Sequence, residues 1–154
     1  MKCALYFFCF LVSAGASFGQ PKQKPVVKKS VTELERILNG TRLPFRIVND
    51  SLAVVPYSGA NLASFDVVIQ KISDLYIVYT NLTEILPGKI DESKYKYLLR
   101  QNDHFDIIKI GMSEADNTVY LRADLYKAGT STVLLKRVLA QVANVTNIIG
   151  GDLK

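Results

Sequence analysis

The single histidine of the chain, His104, is the residue whose type best suits acid–base chemistry, and it stands between Asp103 and Asp106. An imidazole beside carboxylates can serve as a general base or as a metal ligand. The only cysteines are Cys3 and Cys9, so a zinc site around His104 would rest on one histidine plus carboxylates, which is a poor ligand set. The sequence therefore predicts neither a metal site nor another cofactor.

Sequence motifs for nucleophilic catalysis and phosphate binding do not support an enzyme either. Between residues 20 and 154 there is no Gly-x-Ser-x-Gly elbow, and Gly150-Gly151 lies near the chain end rather than between a strand and a helix. A Ser–His–Asp triad is a spatial arrangement, so the sequence leaves open a small secreted hydrolase that uses His104. Because His104 fits equally well as a polar residue between a helix and a strand, we favour a protein that is not an enzyme.

Five side chains on strand-like segments form the best candidate for a partner-binding surface: Tyr76, Val78, Tyr120, Arg122 and Tyr126. Side chains alternate between the two faces of a strand, and we expect these five to share one face of a sheet. Tyrosine beside arginine is typical of the centre of a protein–protein interface. Strands also favour tyrosine for structural reasons, so the alternative is an ordinary sheet face without a partner.

The elements that would position these residues follow from hydrophobic periodicity. Helical spacing predicts helices that begin at Ser30, at Asp91 and within 129–131, and the second of them is expected to present Leu98 and Leu99 to the core. Alternating apolar residues predict strands at 45–48, 52–55, 65–71, 75–80, 107–112 and 119–126, although 65–80 could also be one long bent strand. The predicted fold class is α+β. An antiparallel sheet of five to six strands carries helices on one face, in the order α-βββ(β)-α-ββ-α.

The N-terminal segment predicts export. A short positive start is followed by an apolar run from Cys3 to Val12 and by small residues up to Gly19, which is the pattern of a cleaved signal peptide. Cleavage after Ala16 or after Gly19 fits the pattern. The apolar run is too short for the roughly 20 residues that span a bilayer, so we expect no membrane span. We therefore divide the chain into a signal peptide (1–19), a basic disordered linker (20–29) and one α+β domain (30–149), in a secreted or periplasmic protein.

The net charge of +5 is located in the N-terminal part of the chain. Five of the 19 basic residues precede Ser30, and the other 14 balance the 14 acidic residues. A neutral domain body argues against nucleic-acid binding, which requires a basic patch on the domain. A weak contact with an acidic surface is possible through the four linker lysines, and a solvated linker is the alternative. These lysines are Lys22, Lys24, Lys28 and Lys29.

A resemblance to a known family emerges between Tyr95 and Val145. The segment Leu98-Leu-Arg-Gln-Asn102, a hairpin with a polar turn at Asp116-Asn117, alternating apolar residues from Val119 to Leu125 and a closing amphipathic helix resemble the YbjN-like and type III secretion chaperone-like superfamily. The resemblance covers residues 30–148 and implies the element order α-β-β-β-α-β-β-α. It also implies a non-enzymatic binding or chaperone-like module that is often dimeric. Type III secretion chaperones are cytoplasmic and usually acidic, whereas this chain has a predicted signal peptide and a neutral domain. The chain would therefore be an exported bacterial relative of these chaperones.

Residues and resemblance together favour an exported, non-enzymatic module that recognises a protein segment or a second copy of itself. The alternatives are the small secreted hydrolase that uses His104 and an envelope protein with a structural role. The two main hypotheses differ in what they require of the fold. The first needs an uncovered sheet face, and the second needs a pocket that holds His104 beside a serine or an aspartate.

Overall fold

The computed structural model describes residues 30–86 and 90–153. The predicted signal peptide, the lysine-containing linker and the Pro-Gly-Lys break at 87–89 lie outside the described residues. In the described part, no helix is both long enough and apolar enough to cross a membrane. The predicted α+β class is confirmed, and the sheet has six strands.

All six strands form one antiparallel sheet in the order β1-β2-β3-β4-β6-β5. The first four strands are consecutive hairpins, so the open question of three or four strands before the long second helix is settled at four. The chain then crosses to place β6 beside β4 and leaves β5 at the edge. The strands are β1 (Arg46–Asn49), β2 (Leu52–Tyr57), β3 (Phe65–Ile72), β4 (Leu75–Asn81), β5 (Lys109–Met112) and β6 (Val119–Tyr126).

Four α-helices join the sheet: α1 (Glu33–Thr41), the single turn α2 (Leu82–Ile85), α3 (Glu92–Gln101) and α4 (Thr132–Asp152). The predicted cap of α3 is confirmed, since Asp91 accepts a hydrogen bond from the amide of Lys94. Helix α4, expected to start within 129–131, is capped by Ser131, which accepts from the amide of Leu134. The predicted start of α1 at Ser30 is wrong. Thr32 is the cap and accepts from the amide of Glu35, because a threonine hydroxyl two residues later offers the same acceptor.

The core lies between the sheet and the helices α1 and α4. Leu34 and Leu38 of α1 are fully buried, and so are the α4 residues at 135, 138, 139, 142 and 149. Leu98 is buried as predicted, but Leu99 is 61% exposed. Successive helical residues point about 100° apart, so α3 can turn only one of the two leucines fully into the core.

Asn147, near the end of α4, ties this helix to the loop between β2 and β3. Its Oδ1 accepts from the backbone amides of Asn61 (2.9 Å) and Leu62 (3.1 Å). Asn61 Nδ2 donates in return to the backbone carbonyl of Asn147 at 3.0 Å. These bonds join residues that are 85 and 86 positions apart in the sequence. They give partners to backbone groups of the loop, which within a sheet would be paired by a neighbouring strand.

Candidate binding surface

The five candidate binding residues do not share one face of the sheet. Tyr76 is 2% exposed and Val78 is fully buried, because both point toward the helices. Their cross-strand neighbours on β6 are Leu125 and Ala123, which lie on the core side. Tyr120, Arg122 and Tyr126 occupy the alternate positions of β6 and point the other way. The prediction of a shared face is therefore wrong for Tyr76 and Val78, and it holds for the three residues of β6.

The error has a physical origin in strand β4, which is apolar at both sets of alternate positions. The turn between β3 and β4, where Ile72 pairs directly with Leu75, determines which set of β4 side chains faces the core. Directly paired residues share a face, and Ile72 points away from the helices, so Leu75, Ile77 and Tyr79 must do the same. Ser73, in the turn, takes the left-handed conformation (φ 48°) that a two-residue hairpin of this kind requires.

The surface that results is a sheet face on which no helix packs among residues 30–86 and 90–153, and we call it the open face. Its residues occur in cross-strand rows: Tyr79 pairs with Arg122, Ile77 with Asp124 and Leu75 with Tyr126. Exposure increases toward the β3–β4 turn, where Tyr126 is 71% and Ile72 is 44% exposed. The open face comprises Leu52, Val54, Val68, Gln70, Ile72, Leu75, Ile77, Tyr79, Tyr120, Arg122, Asp124 and Tyr126.

Arg122 and Asp124 form a fixed ion pair near one side of the open face. Arg122 donates through Nε to Asp124 Oδ1 at 2.6 Å and through Nη2 to Oδ2 at 2.9 Å. This two-bond geometry is the strongest form of arginine–carboxylate contact, and it raises the pKa of Arg122 above its ordinary value. The charge is thus held in a defined plane, and a partner would meet an oriented group.

Tyr120 lies across the neighbouring edge strand rather than standing free. It pairs with Gly111, and a β-carbon added to Gly111 would be 2.7 Å from the Tyr120 hydroxyl oxygen and 2.8 Å from Cζ. The glycine thus makes room for the aromatic ring on the open face. Tyr79 is half-buried beside it, and burial raises the pKa of Tyr79, with the charge of Glu84 acting in the same direction. A hollow of about 260 Å³ separates Tyr79, Tyr120 and Gln70.

Tyr76 has a structural position on the covered face. Its hydroxyl donates to Glu33 Oε1 at 3.0 Å, and Glu33 Oε2 also contacts the ammonium groups of Lys127 (3.2 Å) and Lys71 (3.6 Å). Burial raises the pKa of Tyr76 to about 12, and Glu33 acts in the same direction. The cluster fastens the first residue of α1 to strands β3 and β4 and to the segment after β6.

A second apolar feature lies between α3 and edge strand β5. Leu99 and Met112, which are 61% and 50% exposed, line a groove of about 380 Å³ with Tyr95 and Val119. The sequence predicted Met112 on the core side of its strand, but the strand ends there and the side chain is uncovered.

Asn102 closes part of the exposed edge of β5. Its Oδ1 accepts from the Ile110 amide at 2.7 Å, and its Nδ2 donates to the Ile110 carbonyl at 3.1 Å. One side-chain amide thus makes both bonds that a neighbouring strand would make. The sequence contained Asn102 as part of the Leu-Leu-Arg-Gln-Asn string, but only the structure reveals its partner.

His104 is exposed in the connection between α3 and β5, at the wall of a cavity of about 480 Å³. Asp106 and Arg137 also line this cavity, but no serine, threonine or cysteine does among the described residues. Across residues 30–86 and 90–153, His104 makes no side-chain hydrogen bond, and no three His, Cys, Asp or Glu residues come together as metal ligands. The pocket that the hydrolase hypothesis requires exists and has an aspartate, Asp106, in its lining, but the described residues supply no hydroxyl or thiol nucleophile beside the histidine.

The six-stranded antiparallel sheet, with helices on one face and none on the other within residues 30–86 and 90–153, is similar in fold to two solved structures. One is a chain of the heterodimeric ExoU–SpcU complex from the type III secretion system of Pseudomonas aeruginosa, with a TM-score of 0.54 and 16% identity over 77% of this chain and 96% of that chain. The other is YbjN from E. coli, which has been put forward as a transcription regulator.

The YbjN match has a TM-score of 0.53 and 13% identity, over 77% of this chain and 87% of that chain. The resemblance seen in the sequence is therefore confirmed for the fold. No family model matches the sequence. No curated protein matches it at the sequence level either.

Proposed function

We propose that the chain is a non-enzymatic binding module that recognises a segment of another protein on its open face. The carrying observation is the uncovered sheet face itself. It combines apolar side chains, three tyrosines and one oriented arginine–aspartate pair. Contiguous apolar surface with a polar rim marks an interaction site on an otherwise soluble fold.

The composition of the open face fits a protein partner better than a small molecule. Tyrosine and arginine are the residues that most often carry binding energy at protein interfaces. The hollow between Tyr79 and Tyr120, at about 260 Å³, is smaller than the roughly 300–1,000 Å³ typical of small-molecule pockets. A similar fold forms one half of the ExoU–SpcU heterodimer, which supports the proposal by analogy of fold only.

We also propose self-association through the groove between α3 and β5. Leu99 and Met112 are large apolar side chains that lie side by side in water, and a second copy would cover both. A two-fold interface uses the same patch on each subunit, and a groove at a sheet edge allows that arrangement. The proposed dimer would leave the open face free for a different partner.

Export completes the proposal and rests on the sequence of residues 1–19. A charged start, an apolar run and a small-residue end form the pattern of a secretory signal. Mass spectrometry of the protein recovered outside the cytoplasm would give the mature N-terminus. Gln20 or Ser17 as the first residue supports export, and an intact Met1 in a cytoplasmic fraction contradicts it.

The binding role is tested with the substitution Tyr126→Asp and the control Val133→Asp. Tyr126 is 71% exposed on the open face, and Val133 is 77% exposed on α4, so each change adds one charge at an exposed apolar position. The tagged wild-type chain recovers partners from extracts of its source cells, and the identified partner is then purified for affinity measurement. We expect Tyr126→Asp to weaken binding at least about tenfold, or about 1.4 kcal/mol, without a change for Val133→Asp. Equal affinity for all three chains would contradict the open face as the binding surface.

A further inference from the structure

The cavity beside His104 has features that neither the core nor the open face explains. It lies between the 104–108 segment and helix α4, with a volume of about 480 Å³. One water molecule occupies about 30 Å³ of liquid, so the cavity is large enough for an organic molecule. From α4 it is lined by residues at 134, 137, 141 and 144, whose spacing of three and four places them along one side of the helix.

Gln141 brings an unsatisfied acceptor to this cavity. Its Oε1 is shielded from solvent and finds no hydrogen-bond donor in residues 30–86 and 90–153. A buried acceptor without a partner costs about 1–3 kcal/mol, so most such atoms in folded proteins are satisfied by protein, water or ligand. Gln141 lines the cavity, and a rotation of its amide toward the cavity would bring the shielded Oε1 to a donor group of a bound molecule.

Arg137, one turn before Gln141, supplies a positive charge. It is exposed and makes no ion pair within the described part of the chain. A guanidinium binds a carboxylate through two parallel hydrogen bonds, which suits a planar anion. Asp106, on the loop side of the cavity, disfavours a second negative group. Apolar contact is available from Phe105, Ile108, Leu134 and Val145.

We propose that this cavity binds a carboxylate that is flanked by an N–H group and an apolar side chain. The carboxylate contacts Arg137, the N–H donates to Gln141 Oε1, and the apolar side chain packs on the Phe105 side. An N-acylated amino acid and the C-terminal residue of a polypeptide both carry this chemistry. The site is independent of the open face, because its lining residues belong to α4 and to the connection before β5.

The first experiment titrates the purified chain with N-acetyl-phenylalanine and with its carboxamide, by calorimetry and by NMR of the Gln141 side-chain amide. We expect binding of the acid and at least about tenfold weaker binding of the carboxamide, since only the acid pairs with Arg137. Arg137→Gln should remove this preference, and the neighbouring control Lys136→Gln should keep it. Both residues are exposed, so neither change threatens the fold.

The second experiment separates the two sources of the ligand and tests Gln141. Gln141→Leu should weaken acid binding while thermal stability is kept or raised, because it removes the buried acceptor.

A hexapeptide that ends in phenylalanine is compared with N-acetyl-phenylalanine. Tighter peptide binding identifies a polypeptide C-terminus, and exclusion of the peptide identifies a free acylated amino acid. Failure of both probes to bind at millimolar concentration would overturn the proposal, and so would equal affinity for acid and carboxamide or unchanged binding by Arg137→Gln. Tyr126→Asp should leave this binding unchanged.

Discussion

Glu33 illustrates how one surface carboxylate can organise several elements. It is the first residue of α1, and it contacts Lys127, Tyr76 and Lys71, which follow β6 or lie on β4 and β3. The hydrogen bond from Lys127 holds the pKa of Glu33 below its ordinary value, against the opposing effect of burial. Tyr76, predicted from the sequence to contact a partner, is instead part of this internal cluster.

We expect Glu33→Gln to reduce the free energy of unfolding at neutral pH by about 1 kcal/mol or less, because the cluster is partly exposed and water screens it. The pKa of Glu33 is lowered by folding, so its stabilisation is complete above its ordinary value of 4.5 and is lost as pH falls through the folded-state pKa. Urea unfolding at several pH values should therefore show a weaker acid dependence in the variant. Glu35→Gln, in the same helical turn, is the control, and an unchanged acid dependence in Glu33→Gln would contradict this role.

At the scale of residues, the sequence predicted the side-chain orientation of β3 and β6 correctly but not that of β4. Phe65, Val67 and Ile69 are core residues, as expected, and so are Val119 and Leu121. Strand β4 has valine, isoleucine, leucine and tyrosine on both faces, so its composition carries no preference. The two-residue turn at Ser73-Asp74 contained the missing information, since it requires the residues on either side to share a face.

The end of helix α3 protects the exposed edge of strand β5. An exposed strand edge invites pairing with another chain, and proteins commonly block such edges. Asn102, at the end of α3, blocks this edge at Ile110 with a single side chain. The apolar groove with Leu99 and Met112 lies beside the blocked position.

We expect Asn102→Ala to expose the Ile110 amide and carbonyl and to increase disordered self-association through the β5 edge. The loss of two hydrogen bonds to partly buried backbone should also lower the free energy of unfolding by about 1–3 kcal/mol. Light scattering across a concentration series measures the first effect, and urea unfolding measures the second. Gln101→Ala changes the preceding residue and should behave as the wild type. A variant that remains as soluble and stable as the wild type would show that Asn102 does not protect this edge.

At the scale of elements, helix caps and hairpins were predictable from the sequence because their signals are local. Asp91 caps its helix as expected, and the strands pair in the expected hairpins. The pairing of β4 with β6 was not predictable, because it depends on which distant strands bury the most apolar surface together. The cavity beside His104 was missed for the same reason, since it brings α4 next to a segment about 35 residues earlier.

The whole molecule combines a neutral domain with a basic N-terminal segment. The domain holds as many basic as acidic residues, and the four lysines of the linker segment precede it. Long-range attraction of acidic surfaces would therefore depend on that segment. This attraction falls with ionic strength, as the screening length shortens from about 10 Å at 0.1 M salt to about 3 Å at 1 M.

We expect the chain from Gln20 to Lys154 to bind anionic lipid vesicles weakly at low salt, and to lose this binding when residues 20–29 are deleted. Vesicle co-sedimentation at increasing salt measures both effects. Neutral vesicles and a variant with glutamine at the four linker lysines serve as controls. Equal sedimentation of the full and shortened chains would show that the segment does not direct the protein to acidic surfaces.

The bonds from Asn147 to the β2–β3 loop have a consequence for how the protein is made. Synthesis begins at the N-terminus, yet the loop at Asn61 receives its partner only when the last helix emerges. The same helix supplies the fully buried residues that cover strands β3, β4 and β6. A growing chain therefore cannot complete its core before α4 has been synthesised.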